Sequence, residues 1–512
     1  MHPSIHAAQR PKAVAVVFEP SGASLTYRDL DESSCKIAHL LRSLGLGVGD
    51  SVALLLENEP AYFSIAWAAQ RIGLYYVGIS SKLTSAEVAY ILKDSQAKAL
   101  FVSPTLLEIG RTAAAGTAGL SLFTTGEGTA EVPALTDLLA SFPSSRPEDE
   151  VSGSDMLYSS GTTGRPKGVK PPLSGVPIDA PSRQTDFGTR LYGMDVRTVY
   201  LSPAPLYHAA PLRWCMAIMK FGGRVVVMEK FSAEEALRLI EKHRVTHAQW
   251  VPTHFVRMLK LPKEVLSAYD LSSLRAVFHA AAPCPIPVKE QMIEWWGPII
   301  HEYYSGTEAF GTTTISAEEW LQRKGSVGRA AIGQVKICDE NGEPVGPRTE
   351  GVVYFADGPQ STYHNAPEKD AEASNKYGWK TFGDVGWLDD DGYLYLTDRR
   401  SFMIVSGGVN VYPQEAENIL VAHPKVADAA VIGVPSEDLG EEVKAVIQPV
   451  DWADANPDFA GELLDYVRQR LSHVKAPRSI EFLPELPRYP TGKLHKRLLR
   501  ERYWPARNLS DK

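Results

Sequence analysis

Disulfides, membrane spans and an excess of basic charge are what this 512-residue chain lacks. Its four cysteines, Cys35, Cys215, Cys284 and Cys338, lie far apart and never in CxxC spacing. That argues against a disulfide framework or a zinc site and fits reduced thiols in a cytoplasmic protein. No apolar run approaches the roughly 18–20 residues a membrane span needs, so no integral membrane role is expected. The opening MHPSIHAAQRPKAV has no apolar signal-peptide core, and the closing NLSDK carries no targeting signal. Against 61 Asp and Glu there are only 53 Lys and Arg, a net charge of −8. A nucleic-acid partner, whose footprint is a basic surface, is not expected. Internal repeats and low-complexity tracts are absent as well.

What is present is an ordinary globular composition, 44% hydrophobic and 22% charged, in a chain too long for a single core. Short apolar β-rich runs alternate with helical patterns. SVALLLEN (51–58) precedes a helical stretch over 60–71 and then YYVGIS (75–80). RVVVME (224–229), AEEALRLIEKHR (233–244), HAQWVP (247–252) and LRAVFHAAAP (274–283) continue the alternation. The pattern predicts an α/β fold: a large N-terminal domain of stacked sheets with helices, followed by a small α+β C-terminal domain. A stretch rich in Pro, Ser and Gly over 171–188 predicts an exposed loop. DDDGYLYLTDRR (389–400) predicts a hairpin turning at Asp391-Gly392. Beyond it, about 110 residues hold their own strands, DAAVIGVP and EVKAVIQPV, so the domains are expected to be 1–397 and 398–512.

The strongest chemical signal is YSSGTTGRPKGV at 158–169. Ser, Thr and Gly in one loop aim N–H groups and hydroxyls at phosphate oxygens, and Lys167 adds a point charge. Lys167 is followed by Gly168 rather than Ser or Thr, so this is not the P-loop of NTPases. An isolated GTTG is more often a surface turn; the full run makes the phosphate loop the better reading.

This run resembles the phosphate loop of the adenylate-forming superfamily: acyl-CoA synthetases, luciferases and peptide-synthetase adenylation domains. Four further motifs follow in the family's order. The resemblance implies that Ser159, Ser160, Gly161, Thr162, Thr163, Gly164 and Lys167 bind the phosphates of ATP. In YYSGTE (303–308), Tyr304 then stacks on adenine, Thr307 contacts phosphate, and Glu308, with Thr162, holds Mg²⁺. Ser305-Gly306 departs from the Gly that usually follows the Tyr. In KTFGDVGWL (380–388), Asp384 takes both ribose hydroxyls. DRRSFMIVSGGVNVYPQEAE (398–417) places the hinge on Asp398 and a ribose and phosphate contact on Arg399. Ser401 and Phe402 stand where Lys and Asp often occur, a departure that bears on the CoA-handling surface. YPTGKLHKR (489–497) puts the catalytic lysine at Lys493.

Two pocket segments complete the resemblance. HAAAP (279–283) implies that Ala281, Ala282 and Pro283 pack under adenine, and SPAPLYHAAPLRW (202–214) puts His208 at the acid's carboxylate or at the mouth of its cavity. Amino-acid-activating relatives carry an Asp in that segment; Tyr207 and His208 stand here, so amino acids are disfavoured. Small and apolar neighbours, 209–212 with Phe310 and Gly311, suggest a roomy hydrophobic cavity for a fatty, aromatic, steroid-like or terpenoid acid. The implied enzyme is most similar to bacterial acyl-CoA synthetases, with a fainter likeness to actinobacterial ligases of terpenoid-antibiotic pathways. It would use ATP, Mg²⁺ and coenzyme A, the C-terminal lid swinging about Asp398 so that 406–409, with Gly407 and Gly408, lines a tunnel for the CoA thiol. The alternatives are transfer to a carrier-protein thiol or separate acyltransferase, a catalytically silent nucleotide- or acyl-binding homologue, and a luciferase-like oxidative outcome. An oligomer remains open.

Overall fold

The computed structural model describes residues 1–159, 166–399, 402–406, 409–436, 438–488 and 494–504. By contact density the chain divides into two compact units with interleaved segments. The first comprises 1–249, 267–277 and 360–370; the second comprises 250–266, 278–359 and 371–512.

In the first unit, five parallel strands lie in the order Ser121–Thr124, Ala97–Val102, Ser51–Leu55, Tyr75–Gly78, Ser154–Asp155. Ser51–Leu55 is buried at every residue, as expected of a parallel strand covered on both faces. Its crossover helix, Pro60–Arg71, begins on a proline, which suits the first helical turn because that N–H has no intrahelical partner anyway. A second parallel set pairs Val14–Glu19, Arg224–Met228, Val199–Ser202 and His247–Trp250. The third sheet has three short strands, Thr362–Tyr363, Lys167–Lys170 and Leu157–Ser159.

One expectation is corrected here. The soft stretch 171–188 is not loop throughout: helix Arg183–Tyr192 starts inside it, and Ile178 and Phe187 are buried. Ser182 caps that helix by accepting from the Thr185 amide. Gly188 lies so close to its neighbours that a Cβ there would come within 2.9 Å of the Met194 sulfur. The glycine and serine that look like loop residues are a packing contact and a cap.

The second unit carries an antiparallel run through Ile300–Tyr304, Thr312–Ile315, Ser326–Ile332, Leu394–Arg399, Lys380–Leu388, Gly351–Ala356 and Gln334–Cys338. The hairpin at 389–393 turns where expected. Gly392 takes φ +80°, and the Asp389 carboxylate accepts from the Asp391 and Tyr393 amides. A separate five-stranded sheet follows, built on the long pair Val426–Ser436 and Gly440–Pro449, with its own core of Ile404, Val431, Ala445 and Leu463 among others. Among the described residues no helix is long and apolar enough to cross a membrane.

Candidate active site

In the first unit the phosphate-loop motif forms the two strands of a hairpin. Ser159 pairs with Lys167 and Tyr158 with Gly168. Ser160, Gly161, Thr162, Thr163 and Gly164 lie outside the described residues. Gly168 is tightly packed: a Cβ there would lie 2.7 Å from Met156 Cε and 3.0 Å from the Tyr158 ring. The base of the hairpin is tied to a carboxylate from a distant helix: Tyr158 donates to Asp94 at 2.6 Å. Asn365 donates to the Asp94 carbonyl at 3.2 Å, and the His364 ring bonds the same oxygen at 3.0 Å. Lys167 thus borders a polar cavity of about 370 Å³ with Asp94, His364, Asn365 and Glu368.

His208 is the residue preceding helix Ala209–Phe221, its ring 4.6 Å from that of Tyr207. The Tyr207 backbone packs close over the strand below, where a Cβ on Gly78 would come within 3.2 Å of it. From the same helix Arg213 reaches Asp155 at 2.7 Å. The Asp155 carboxylate is therefore neutralised by an arginine of the segment that carries His208.

In the second unit, three of the residues expected at adenosine, Tyr304, Asp384 and Arg399, come together. Tyr304 ends strand Ile300–Tyr304 and donates its hydroxyl to Asp384 at 2.6 Å. Asp384 is buried in strand Lys380–Leu388 and pairs across the ladder with Arg399, which brings the two predicted ribose contacts side by side along the backbone. Phe382, two residues earlier, meets Tyr304 edge-on at 5.7 Å and stacks on Phe310 at 5.5 Å. Gly306 begins the turn holding Thr307 and Glu308; a Cβ there would lie 2.6 Å from the Phe382 ring and 2.7 Å from Glu308 Oε2. The Ser305 departure is absorbed locally, because its hydroxyl donates to the Gly311 carbonyl at 2.7 Å. Ala281, Ala282 and Pro283 form an exposed run of small residues after strand Ala276–His279, with Ala281 at φ +75°.

These groups suit a nucleotide. Small exposed residues suit the flat face of a base, as does an aromatic ring, and the buried carboxylate bonded to that aromatic is an acceptor of the kind vicinal hydroxyls need. Glu308 is a hard oxygen donor suited to Mg²⁺, and among the described residues no group of three His, Cys, Asp or Glu is placed to hold a metal ion by itself. Thr162, the other expected ligand, lies outside the described residues. Lys493, Gly407 and Gly408 lie outside the described residues, and of Arg399 only the backbone is described. Asp398, the expected hinge, accepts from the Gln414 amide at 3.0 Å, in the first turn of helix Pro413–Val421.

Sequence reasoning missed Asp94, His364, Asn365, Asp155 and Arg213. Asp94 and Asn365 are 271 positions apart, and no spacing rule links them.

Comparison with known proteins agrees with this geometry. A family model described as AMP-binding enzyme matches residues 4–362, and one described as AMP-binding enzyme C-terminal domain matches 415–493. A feruloyl-CoA synthase of Amycolatopsis sp is 33% identical over 98% of this chain and 98% of its own length. A fatty acid–[acyl-carrier-protein] ligase, ScoC, of Streptomyces coeruleorubidus is 31% identical over 98% of this chain and 95% of its own. The o-succinylbenzoate CoA synthetase of Bacillus subtilis, solved with its acyl-adenylate intermediate, superposes with a TM-score of 0.81 at 27% identity. That match covers 99% of this chain and 98% of the other.

Proposed function

The chain belongs to the AMP-binding enzyme family as an acid–thiol ligase working with ATP, Mg²⁺ and coenzyme A, and from that premise we propose that it activates a bulky hydrophobic carboxylic acid. The observation that carries the choice of acid is the Asp155–Arg213 pair. With that carboxylate bound by arginine, the segment offers no free anion for an α-ammonium, and its small and apolar residues 209–212 suit a hydrophobic acid.

In the first half-reaction a carboxylate oxygen bonds to the α-phosphorus of ATP while the bond to the β-phosphate oxygen breaks and pyrophosphate leaves. Mg²⁺, when bound through Glu308 and Thr162, supplies positive charge at the phosphates. Lys167 and the loop amides at 159–164 hold the phosphates, with Thr307 at the same group. Lys493 brings an ammonium to the charge that concentrates in line, commonly the largest catalytic contribution. Tyr304 with Ala281, Ala282 and Pro283 seats the adenine; Asp384 and Arg399 fix the ribose; His208 orients the acid's carboxylate.

In the second half-reaction a C–S bond forms to the CoA sulfur as AMP departs. The C-terminal domain, 398–512, turns about Asp398 between the two, withdrawing Lys493 and bringing 406–409 to the thiol. The four cysteines are free, in keeping with a cytoplasmic setting.

A second reading, an acyl-carrier protein as the thiol, is favoured by Phe402, which replaces a charge on the CoA-handling surface, and by the likeness to the carrier-protein ligase. Mass spectrometry of reactions with ATP, Mg²⁺ and acids from acetate to fatty, aromatic and polycyclic ones, with and without CoA, tests both. Acyl-AMP alone and acyl-CoA on adding CoA support the ligase. Acyl-AMP that persists beside CoA supports the carrier. A preference for acetate refutes the hydrophobic acid, and no adenylate from any acid leaves either a substrate missing from the panel or a silent homologue.

A further inference from the structure

The second unit buries a charged cluster that the proposed chemistry does not use. Glu302 and Lys289 are ion-paired at 2.6 Å, with the Lys289 side chain fully buried. His279, also fully buried, brings Nε2 to 3.4 Å from the same Glu302 oxygen, too loosely aligned for a hydrogen bond. Lys289 lies 4.7 Å from the centre of the buried Trp320 ring. Desolvation by burial, reinforced by the Lys289 charge, lowers the His279 pKa well below its ordinary value, so the ring is neutral.

The placement of the three residues is informative. His279 is the last residue of strand Ala276–His279, where the loop holding Ala281, Ala282 and Pro283 begins. Lys289 sits in the first turn of helix Ile286–Trp296, just after that loop ends. Glu302 is two residues before Tyr304 on one strand, hence on the same face. A single carboxylate thus touches the entry and the exit of the adenine loop and is rigidly linked to the ring expected to stack on the base. The loop needs such support: Ala281 adopts φ +75°, a left-handed conformation that a residue with a Cβ keeps only when its surroundings enforce it. Buried ion pairs contribute little net stability, and fixing one conformation is a use that their desolvation cost permits.

We propose that Glu302, with Lys289 and His279, is a positioning set that holds the loop 280–285 and Tyr304 in the shape that binds the adenosine half of ATP. It rests on the nucleotide-site reading given above. All three are buried, so the effect runs through the loop.

The test is calorimetric binding of AMP and, separately, pyrophosphate to the full-length protein. The variant is the double Lys289→Met/Glu302→Gln, which removes both charges and so leaves no lone buried ion. The dissociation constant for AMP is expected to rise about tenfold or more, with that for pyrophosphate within about twofold of the parent. Glu302→Asp, which keeps the charge but shortens its reach, gives a smaller rise in the same direction and serves if the double variant fails to fold. Equal weakening of both ligands, or unchanged AMP binding in a folded variant, overturns the proposal. Asp384→Ala is the control: unchanged AMP binding there would remove the nucleotide-site reading itself, independently of the loop.

Discussion

Asp384→Asn removes one charge while keeping the side-chain shape, and the structure gives its effect a size. Asp384 is buried and accepts the Tyr304 hydroxyl at 2.6 Å, and the ribose reading asks the same carboxylate to accept a sugar hydroxyl as well. A hydrogen bond to a charged acceptor contributes about 1.5–3 kcal/mol, and about 1.36 kcal/mol is a factor of ten, so the KM for ATP should rise roughly 10- to 160-fold. The assay is acid-dependent exchange of labelled pyrophosphate into ATP, with calorimetric ATP binding alongside, because KM equals the dissociation constant only when chemistry is slow. Tyr304→Phe is the matched partner: it keeps the stacking ring and removes a donor that competes with ribose for Asp384, so ATP binding should hold or tighten. If Asp384→Asn leaves ATP affinity within about twofold in a folded protein, the carboxylate is not at the ribose and the reasoning fails.

Three further outcomes are expected. Lys493→Ala should abolish adenylate formation yet spare thiolation of a supplied acyl-adenylate; loss of both in a folded variant would contradict the alternation between two half-reactions. Lys496→Met should destabilise the C-terminal sheet by about 3–5 kcal/mol in denaturant unfolding, because its partner Glu417, at 2.7 Å with both side chains nearly inaccessible, is left buried and unpaired. The double variant Lys496→Met/Glu417→Gln should recover most of that, and a double no better than the single would refute the argument. Burial pushes the pKa of His254 down to about 3, well below the 6.5 of an unfolded chain. Its stabilisation is therefore complete above pH 6.5 and is lost as the pH falls through that value, because only the unfolded chain then binds a proton. From pH 7 to 5 this costs about 2 kcal/mol, so His254→Gln should show a shallower loss of stability over that interval. An unchanged slope would show that His254 does not titrate as burial dictates.

The motifs were legible because the residues that carry them are contiguous. Tyr304, Thr307 and Glu308 are read from one six-residue run, and the structure sets them on a strand end and its turn. The hairpin at Asp391-Gly392 was legible for the same reason, since turn chemistry is local. Residues joined only by folding were not: Asp94 reaches Asn365 and His364, and Asp155 reaches Arg213, through contacts that no spacing predicts. The stretch 171–188 was misread because Ser182 and Gly188, loop residues by composition, act there as a helix cap and a packing contact.

Three charged pairs that the motif reading gave no role share an arrangement. Arg213–Asp155, Lys289–Glu302 and Lys496–Glu417 each lie beside a segment expected to meet substrate: the acyl helix, the adenine loop and the chain following Lys493. Withdrawing such charges from water costs several kcal/mol per ion, which their attraction repays only with good geometry, so net stability is a poor reason for three of them. Apolar packing could hold the same segments, but it tolerates sliding and rotamer exchange at small cost. A carboxylate held at 2.6–2.7 Å by a lysine or arginine does not, because displacing the cation strands a carboxylate that is nearly inaccessible to water. Double variants that remove both charges should therefore keep much of the stability and lose ligand discrimination first. For Lys289 and Glu302, that loss should fall on AMP and spare pyrophosphate.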